Sequence, residues 1–343
     1  MACENDPPTP FASSPFGMGP MRLRRSPALR RLVRQTDLLP RHLVQPLFVV
    51  EDATLAGPID GLRDQRRLTV DQAVEAGVRA QGLGLGGVLL FGVPAHKTHH
   101  PETSGDFLLK AIARLRAEVP ELLLITDVCL CPYTEHGHCC VYGGDGSPDL
   151  EATRRAYGRL AVEQASAGAQ MVAPSGMIDG TVAAVRGALD AAGMVHMPIM
   201  AYSVKHASGL YGPFRGAANS TPGFGDRRWH QMDPANAREA LAEIELDLAQ
   251  GADIVMVKPA VHALDVIASA RRDFPRATIA AYHVSGEFSM LSAAAERRWV
   301  DWPTALHETL YAIRRAGADI VITYGAIDWA SRPEPEQNCS GTT

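Results

Sequence analysis

Lysine is scarce in this chain. Of 33 basic residues only Lys97, Lys110, Lys205 and Lys258 are lysine. Basic residues do not outnumber acidic ones either, and the formal net charge is -5. That balance excludes a chain built to coat a polyanion, so no nucleic acid partner is expected. No apolar run reaches about 18 residues, so nothing is expected to cross or sit in a membrane. The start, MACENDPPTP, lacks the basic-then-apolar pattern of a secretory leader. The expected compartment is therefore the cytoplasm, where thiols stay reduced. A chain of 343 residues, 46% apolar, buries a core that needs no disulfide staples. There is no internal repeat.

Cysteine is also sparse, and four of the six cysteines fall within TDVCLCPYTEHGHCC, residues 126–140, together with His136 and His138. Clustered cysteines in a reducing compartment favour metal binding or catalysis over disulfides.

The termini differ from the rest. Residues 1–20 are rich in Pro, Ser and Gly and read as a mobile tail. Residues 21–44 read as a basic arm, since RLRRSPALRRLVR at 22–34 carries six arginines. It is either solvated or docked on an acidic surface of a second subunit. Residues 331–343 read as a flexible C-terminal tail.

Between them, residues 45–330 alternate. Short apolar runs occur at 46–50, 87–91, 122–126, 169–173, 197–202, 253–257, 278–282 and 319–323. Helix-like stretches lie between them, among them 70–82, 150–167, 234–249, 262–272 and 303–315. Asp233-Pro234 reads as an N-cap with proline at the first helical position. Gly251 and Gly317 fit helix ends. Continuous apolar strands alternating with helices predict a parallel sheet covered by helices. Eight strands is the count that closes a TIM (β/α)8 barrel, an α/β fold, with an open doubly wound sheet as the alternative.

A barrel of this kind carries its chemistry at the C-terminal strand ends. Reactive residue types do follow the runs: Asp127, Cys129 and Cys131 after the third, Ser175 after the fourth, and Ser203 and Lys205 after the fifth. Lys258 ends the sixth, Tyr282 and Ser285 the seventh, and Tyr324 the eighth. A lone lysine at such a place can snorkel to the rim. Two at the mouth of one barrel depress each other's pKa, and a neutral amine attacks ketones, which points to Schiff-base chemistry. The stretch GPFRGAANSTPGFGDRR, 212–228, reads as a lid whose arginines suit a carboxylate.

Cys129, Cys131 and Cys139 are spaced C-x-C-x7-C, unlike finger and ribbon sites, which begin with C-x2-C. Three thiolates with an open fourth position suit a catalytic zinc. Cys140 adjoins Cys139, and neighbours seldom point into one tetrahedral site. His136 and His138 are alternative ligands.

DVCLCPYTEHGHC, YSVK with YGPFR, FGDRR with QMDPAN, MVKP and YHVSGEF resemble the signatures of the porphobilinogen synthase (5-aminolevulinate dehydratase) family, from about residue 20 to 325. The resemblance implies a TIM barrel with an N-terminal arm, usually a homo-octamer. It implies condensation of two 5-aminolevulinate molecules into porphobilinogen with loss of two waters, in tetrapyrrole synthesis. Carried over by motif, Lys205 and Lys258 are the Schiff-base residues. Arg215, Arg227 and Gln231 serve one substrate carboxylate, and Ser285 and Tyr324 the other. Asp127 and Ser175 line the polar floor. Cys129, Cys131 and Cys139 bind zinc, and Glu243 matches the residue that binds an allosteric magnesium ion in some members.

Several positions depart from the pattern. Cys140 and Ala260 stand where Gly is usual, Gly176 where Asp is common, and His230 where Tyr is common. Val204, His206 and Gly325 also differ, and SRPEPEQNCSGTT replaces a terminal helix. None removes a lysine, a zinc cysteine or a lid arginine.

Overall fold

The computed structural model describes residues 20–98 and 104–332. The expected terminal tails thus lie almost wholly outside the described residues. The chain forms two compact units.

The first, ending at Asp37, holds the arginine-rich stretch. Its described residues form a 3-10 helix at Pro20–Arg24 and a short α-helix, α1 (Pro27–Leu32), with proline at its start and the Ser26 hydroxyl accepting from Leu29 N at 3.2 Å. The second unit begins at Leu38. Its first strand starts at Leu43, inside the stretch read as arm, because Leu43 and Val44 are already buried.

Eight parallel strands form the second unit's core. They are β1 (Leu43–Val50), β2 (Gly87–Val93), β3 (Leu123–Val128), β4 (Met171–Pro174), β5 (Met200–Lys205), β6 (Ile254–Lys258), β7 (Thr278–His283) and β8 (Ile320–Thr323). Their hydrogen-bonded order is β4-β3-β2-β1-β8-β7-β6-β5. The remaining seam, between β4 and β5, is bridged by Val172 and Ile199. This is a nearly closed TIM barrel, as the eight apolar runs predict. Every residue of β1, β2, β5 and β6 is buried, which is why these strands read as continuous apolar runs and not as alternating ones.

Helices α2 (Val70–Gly82), α3 (Asp106–Glu118), α4 (Leu150–Ser166) and α5 (Thr181–Ala191) flank the first half. The short α6 (Gly212–Ala217) follows β5. Then come α7 (Arg238–Ala249), α8 (Leu264–Asp273), α9 (Ser285–Glu296), α10 (Trp302–Ala316) and a last turn, α11 (Ala326–Ala330). Local signals set several ends. Thr69 and Gln72 form a capping box on α2. Asp301 caps α10, and Gly317, at φ 128°, ends it. Gly251, at φ 100°, lies just past α7. Asp233 does not cap a helix, contrary to expectation. Its carboxylate accepts from Ala235 N at 2.9 Å and its carbonyl from Asn236 N, a closed turn that delays α7 to Arg238.

Candidate active site

Lys205 and Lys258 are the last residues of adjacent strands and direct register partners. Both are buried. The β5–β6 pairing slips between Val255 and Val257, so β5 carries one extra residue. Such a bulge re-aims side chains. Without it Tyr202 and Lys205 would face opposite sides. With it, the Tyr202 ring lies 5.1 Å from Lys258 Nζ and 5.5 Å from Lys205 Nζ. Ser203, read from sequence as a strand-end candidate, instead turns outward to Asp247 on α7.

Lys258 has no carboxylate ion-pair partner among the described residues. Its Nζ sits among four rings: Tyr282 at 4.2 Å, Phe214 at 4.9 Å, and Tyr202 and Tyr211 at 5.1 Å. Burial, then the charge of Lys205, push its pKa down to about 7. The backbone is also held, since the Lys258 carbonyl accepts from His206 N at 3.0 Å and from Tyr211 Oη at 3.3 Å. Lys205 donates from Nζ to the Ser175 carbonyl.

One cavity is lined by both lysines together with Asp127, Ser175, Cys131 and Arg227. Phe91, Tyr211 and Phe214 form its apolar wall. Burial, then the neighbouring Cys129, raise the Asp127 carboxyl to about 7, against the pull of Ser175 and the two lysines. A carboxyl and an amine that both titrate near neutrality can exchange protons with a substrate at that pH.

Cys129, Cys131 and Cys139 converge from the segment after β3. Their sulfurs lie within 4.8 Å of one another, with Cys129 and Cys131 at 3.3 Å. Among the described residues this is the one group of His, Cys, Asp or Glu side chains close enough to share a metal ion. All three are buried and free of disulfides. Tyr157, on α4, donates to the Cys139 carbonyl at 3.0 Å and reaches Cys129 Sγ at 3.5 Å. Three crowded, buried thiols fit a soft metal. Cys140 stays outside the group and hydrogen-bonds Tyr142, and burial pushes its thiol up to about 12. His138 turns Nε2 to the Phe224 carbonyl at 2.9 Å. Neither His136 nor His138 joins the thiols.

The stretch read as a lid begins as helix α6 and continues as loop to Gln231. It is fastened to the thiol-bearing segment: Gly223 N donates to the His136 carbonyl at 3.0 Å, and Arg227 Nη2 to the Gly137 carbonyl at 2.7 Å. Phe224 packs on His138 and Tyr142, with centroids 4.6 and 5.3 Å apart. Several buried polar atoms here have no protein partner: Arg215 Nε, Arg227 Nε, both amide atoms of Gln231, and both ring nitrogens of His230. Buried polar groups left unsatisfied are rare, and so many in one place leave hydrogen-bonding capacity for a polar ligand or for water. On the far side, the Ser285 hydroxyl accepts from Phe214 N at 3.1 Å, and Tyr324 accepts from Tyr282 at 3.2 Å.

Glu243 stands apart. It lies on α7 beside Asp179 and Asp247, in a separate cleft outside β4 and β5. Burial, then those two charges, raise it to about 7.

Sequence reasoning missed the rings Tyr202, Tyr211 and Phe214 around Lys258. It also missed Lys97, which follows β2 and donates to the Asn219 carbonyl of the lid. Position after an apolar run was the available signal for Lys97.

The family model described as delta-aminolevulinic acid dehydratase matches residues 18–332. Curated relatives with that name include one from Synechococcus elongatus, 47% identical over 325 residues, covering 91% of this chain and 97% of the relative. Another, from Mycobacterium tuberculosis, is 48% identical over 319 residues, covering 91% and 96%. The crystal structure of delta-aminolevulinic acid dehydratase (porphobilinogen synthase) from Toxoplasma gondii, in complex with the product porphobilinogen, superposes with a TM-score of 0.88. It is 37% identical, with 94% of this chain and 95% of that one covered.

Proposed function

The chain belongs to the delta-aminolevulinic acid dehydratase family, lyases that make porphobilinogen, and from that premise we propose that Lys205 and Lys258 each hold one of its two 5-aminolevulinate substrates as an imine. The observation that carries this reading is the pairing of the two lysines at the ends of adjacent strands, in one buried cavity that also contains Asp127.

Lys258, with its pKa near 7, offers a neutral amine to a substrate ketone. The nitrogen adds to the carbonyl carbon, the oxygen leaves as water, and a protonated imine remains. Asp127, which lines the same cavity, gives a proton to the departing oxygen and takes one back in this reading. The protonated imine draws electrons from the adjacent carbon, which then loses a proton more easily. Holding both substrates covalently turns a two-substrate condensation into an intramolecular one. Arg215, Arg227 and Gln231 receive one substrate carboxylate, a role supported by their unpartnered buried atoms. Ser285 and Tyr324 receive the other. Ser175 completes the polar floor beside Asp127.

Cys129, Cys131 and Cys139 hold Zn2+ in this reading, and the ion supplies Lewis acidity toward the second substrate's amine or oxygen. Glu243 takes a Mg2+ ion remote from the lysines. Residues 21–42, which precede β1, form the arm that joins subunits into an octamer. Four buried free thiols fit work in the reducing cytoplasm.

The test is porphobilinogen formation from 5-aminolevulinate, with chelator and with restored Zn2+, beside borohydride trapping mapped to peptides. The expected result is zinc-dependent turnover and adducts on both lysines. Trapping on one lysine alone, with activity indifferent to chelator, would replace this reading with a single-imine aldolase.

A further inference from the structure

Glu287 is a buried carboxylate on α9, and among the described residues no lysine or arginine pairs with it. It is satisfied by backbone instead. Oε2 accepts from Val284 N at 3.0 Å, closing the first turn of its own helix. Oε1 accepts from Val261 N at 2.8 Å and His262 N at 3.1 Å, and meets His262 Nδ1 at 3.1 Å. One side chain therefore caps two elements. Val261 begins the turn three residues after Lys258, and Val284 precedes Ser285.

Each element carries part of the lysine's surroundings. The turn at Val261 fixes the chain leaving Lys258. The start of α9 holds the lid through Ser285, which accepts from Phe214 N and donates to the Leu210 carbonyl at 3.2 Å. Contact there is close: a Cβ on Gly286 would lie 2.6 Å from the Leu210 backbone. The ring of Phe214 is in turn one wall around Lys258 Nζ.

We propose that Glu287 is a positioning residue for Lys258: its carboxylate locks the lysine's strand end to the helix end that anchors the Phe214 wall. It acts through the backbone and never touches substrate. This rests on the reading of Lys258 as an imine-forming residue. The groups facing Lys258 are Lys205 from β5, Asp127 from β3, Cys131, Arg227 from the lid, and Tyr202, Tyr211 and Tyr282. Tyr211 among them lies in the field of the Glu287 charge, which Glu287→Asp retains.

The test uses the full-length enzyme, 5-aminolevulinate and borohydride, with adducts at each lysine quantified by peptide mass spectrometry across pH. Glu287→Gln puts a donor where an acceptor is needed. Glu287→Asp keeps the charge but is too short to span both caps, and serves if the first variant does not fold. With either, the midpoint of trapping at Lys258 should rise by about one pH unit, roughly fivefold less neutral amine at pH 7, while Lys205 keeps its profile. Wild-type behaviour at Lys258, or an equal loss at both lysines, overturns the proposal. Absence of any Lys258 adduct in the wild-type enzyme overturns the imine reading as well, which separates the two failures.

Discussion

Lys258 holds its ammonium 4.2 Å from the centre of the Tyr282 ring, nearer than to any of the other three rings around it. A ring face favours the cation. Burial and Lys205 disfavour it and prevail, leaving the pKa near 7. The contest has a consequence for stability. An unfolded lysine titrates near ~10.4. Between about 7 and that value the unfolded chain holds the extra proton, so stability gained from this group rises with pH across that window. Below about 7 both states are protonated and the burial cost is present in full. Lys258→Met should therefore abolish turnover yet raise stability at neutral pH, by about 2 kcal/mol or more, with the gain shrinking toward pH ~10. Urea unfolding of both proteins across that range measures it. A variant less stable than wild type at neutral pH would contradict the assignment.

The three thiols make a second prediction. Cys140→Gly should retain one metal ion per chain, because the Cys140 side chain is engaged with Tyr142 and not with the other sulfurs. Cys139→Ser should bind metal at least ~100-fold more weakly, since losing even an outer-shell partner costs 10- to 100-fold. Metal content after gel filtration, with competition against a chromogenic chelator, reads both. Metal loss from the Cys140 variant would mean the wrong three ligands were chosen.

Much of this site was legible because a barrel presents strand ends to one mouth. Lys205, Lys258, Asp127 and Ser175, which line one cavity, all follow apolar runs, and the C-x-C-x7-C spacing picks out the three sulfurs that converge. Ser203 was misread because the β5 bulge flips its side chain, and a one-residue slip leaves no mark in composition. Tyr211 and Phe214 could not be found by the same rule. They lie beyond the strand, and only the fold of the lid brings them against Lys258. Glu287 hid within a helix-start pattern, because its second set of partners, Val261 and His262, comes from a distant turn.

The two lid arginines should separate in their effects. Arg227 is buried and donates to the Gly137 and Ser220 carbonyls. Arg227→Met should thus raise KM for 5-aminolevulinate and also destabilise the fold by about 3 kcal/mol, the cost of two charged hydrogen bonds and two orphaned carbonyls. Arg215 is half-buried on α6, and its Nε has no protein partner. Arg215→Met should raise KM at least tenfold while changing stability by about 0.5 kcal/mol or less. Steady-state kinetics beside denaturant titrations resolve the pair. Equal stability losses would show that both arginines serve the lid's structure alone.

Tyr157 accounts for the glycine at position 176. A Cβ at position 176 would lie 2.2 Å from Tyr157 Oη. That hydroxyl cannot retreat cheaply, because it donates to the Cys139 carbonyl and reaches Cys129 Sγ. Any side chain at 176 must either shift the β4 end, and with it Ser175, or push the tyrosine into the thiol group. Gly176→Ala is expected to cost about 1–3 kcal/mol, the range for overpacking a buried site, and to weaken metal binding. Tyr157→Phe alone should cost about 1 kcal/mol, for one lost hydrogen bond. Combined, the two should cost less than their sum, because removing the hydroxyl opens the space the methyl needs. Thermal melts and metal titrations of the four proteins form the cycle. Strict additivity would show that Tyr157 does not dictate glycine at this position.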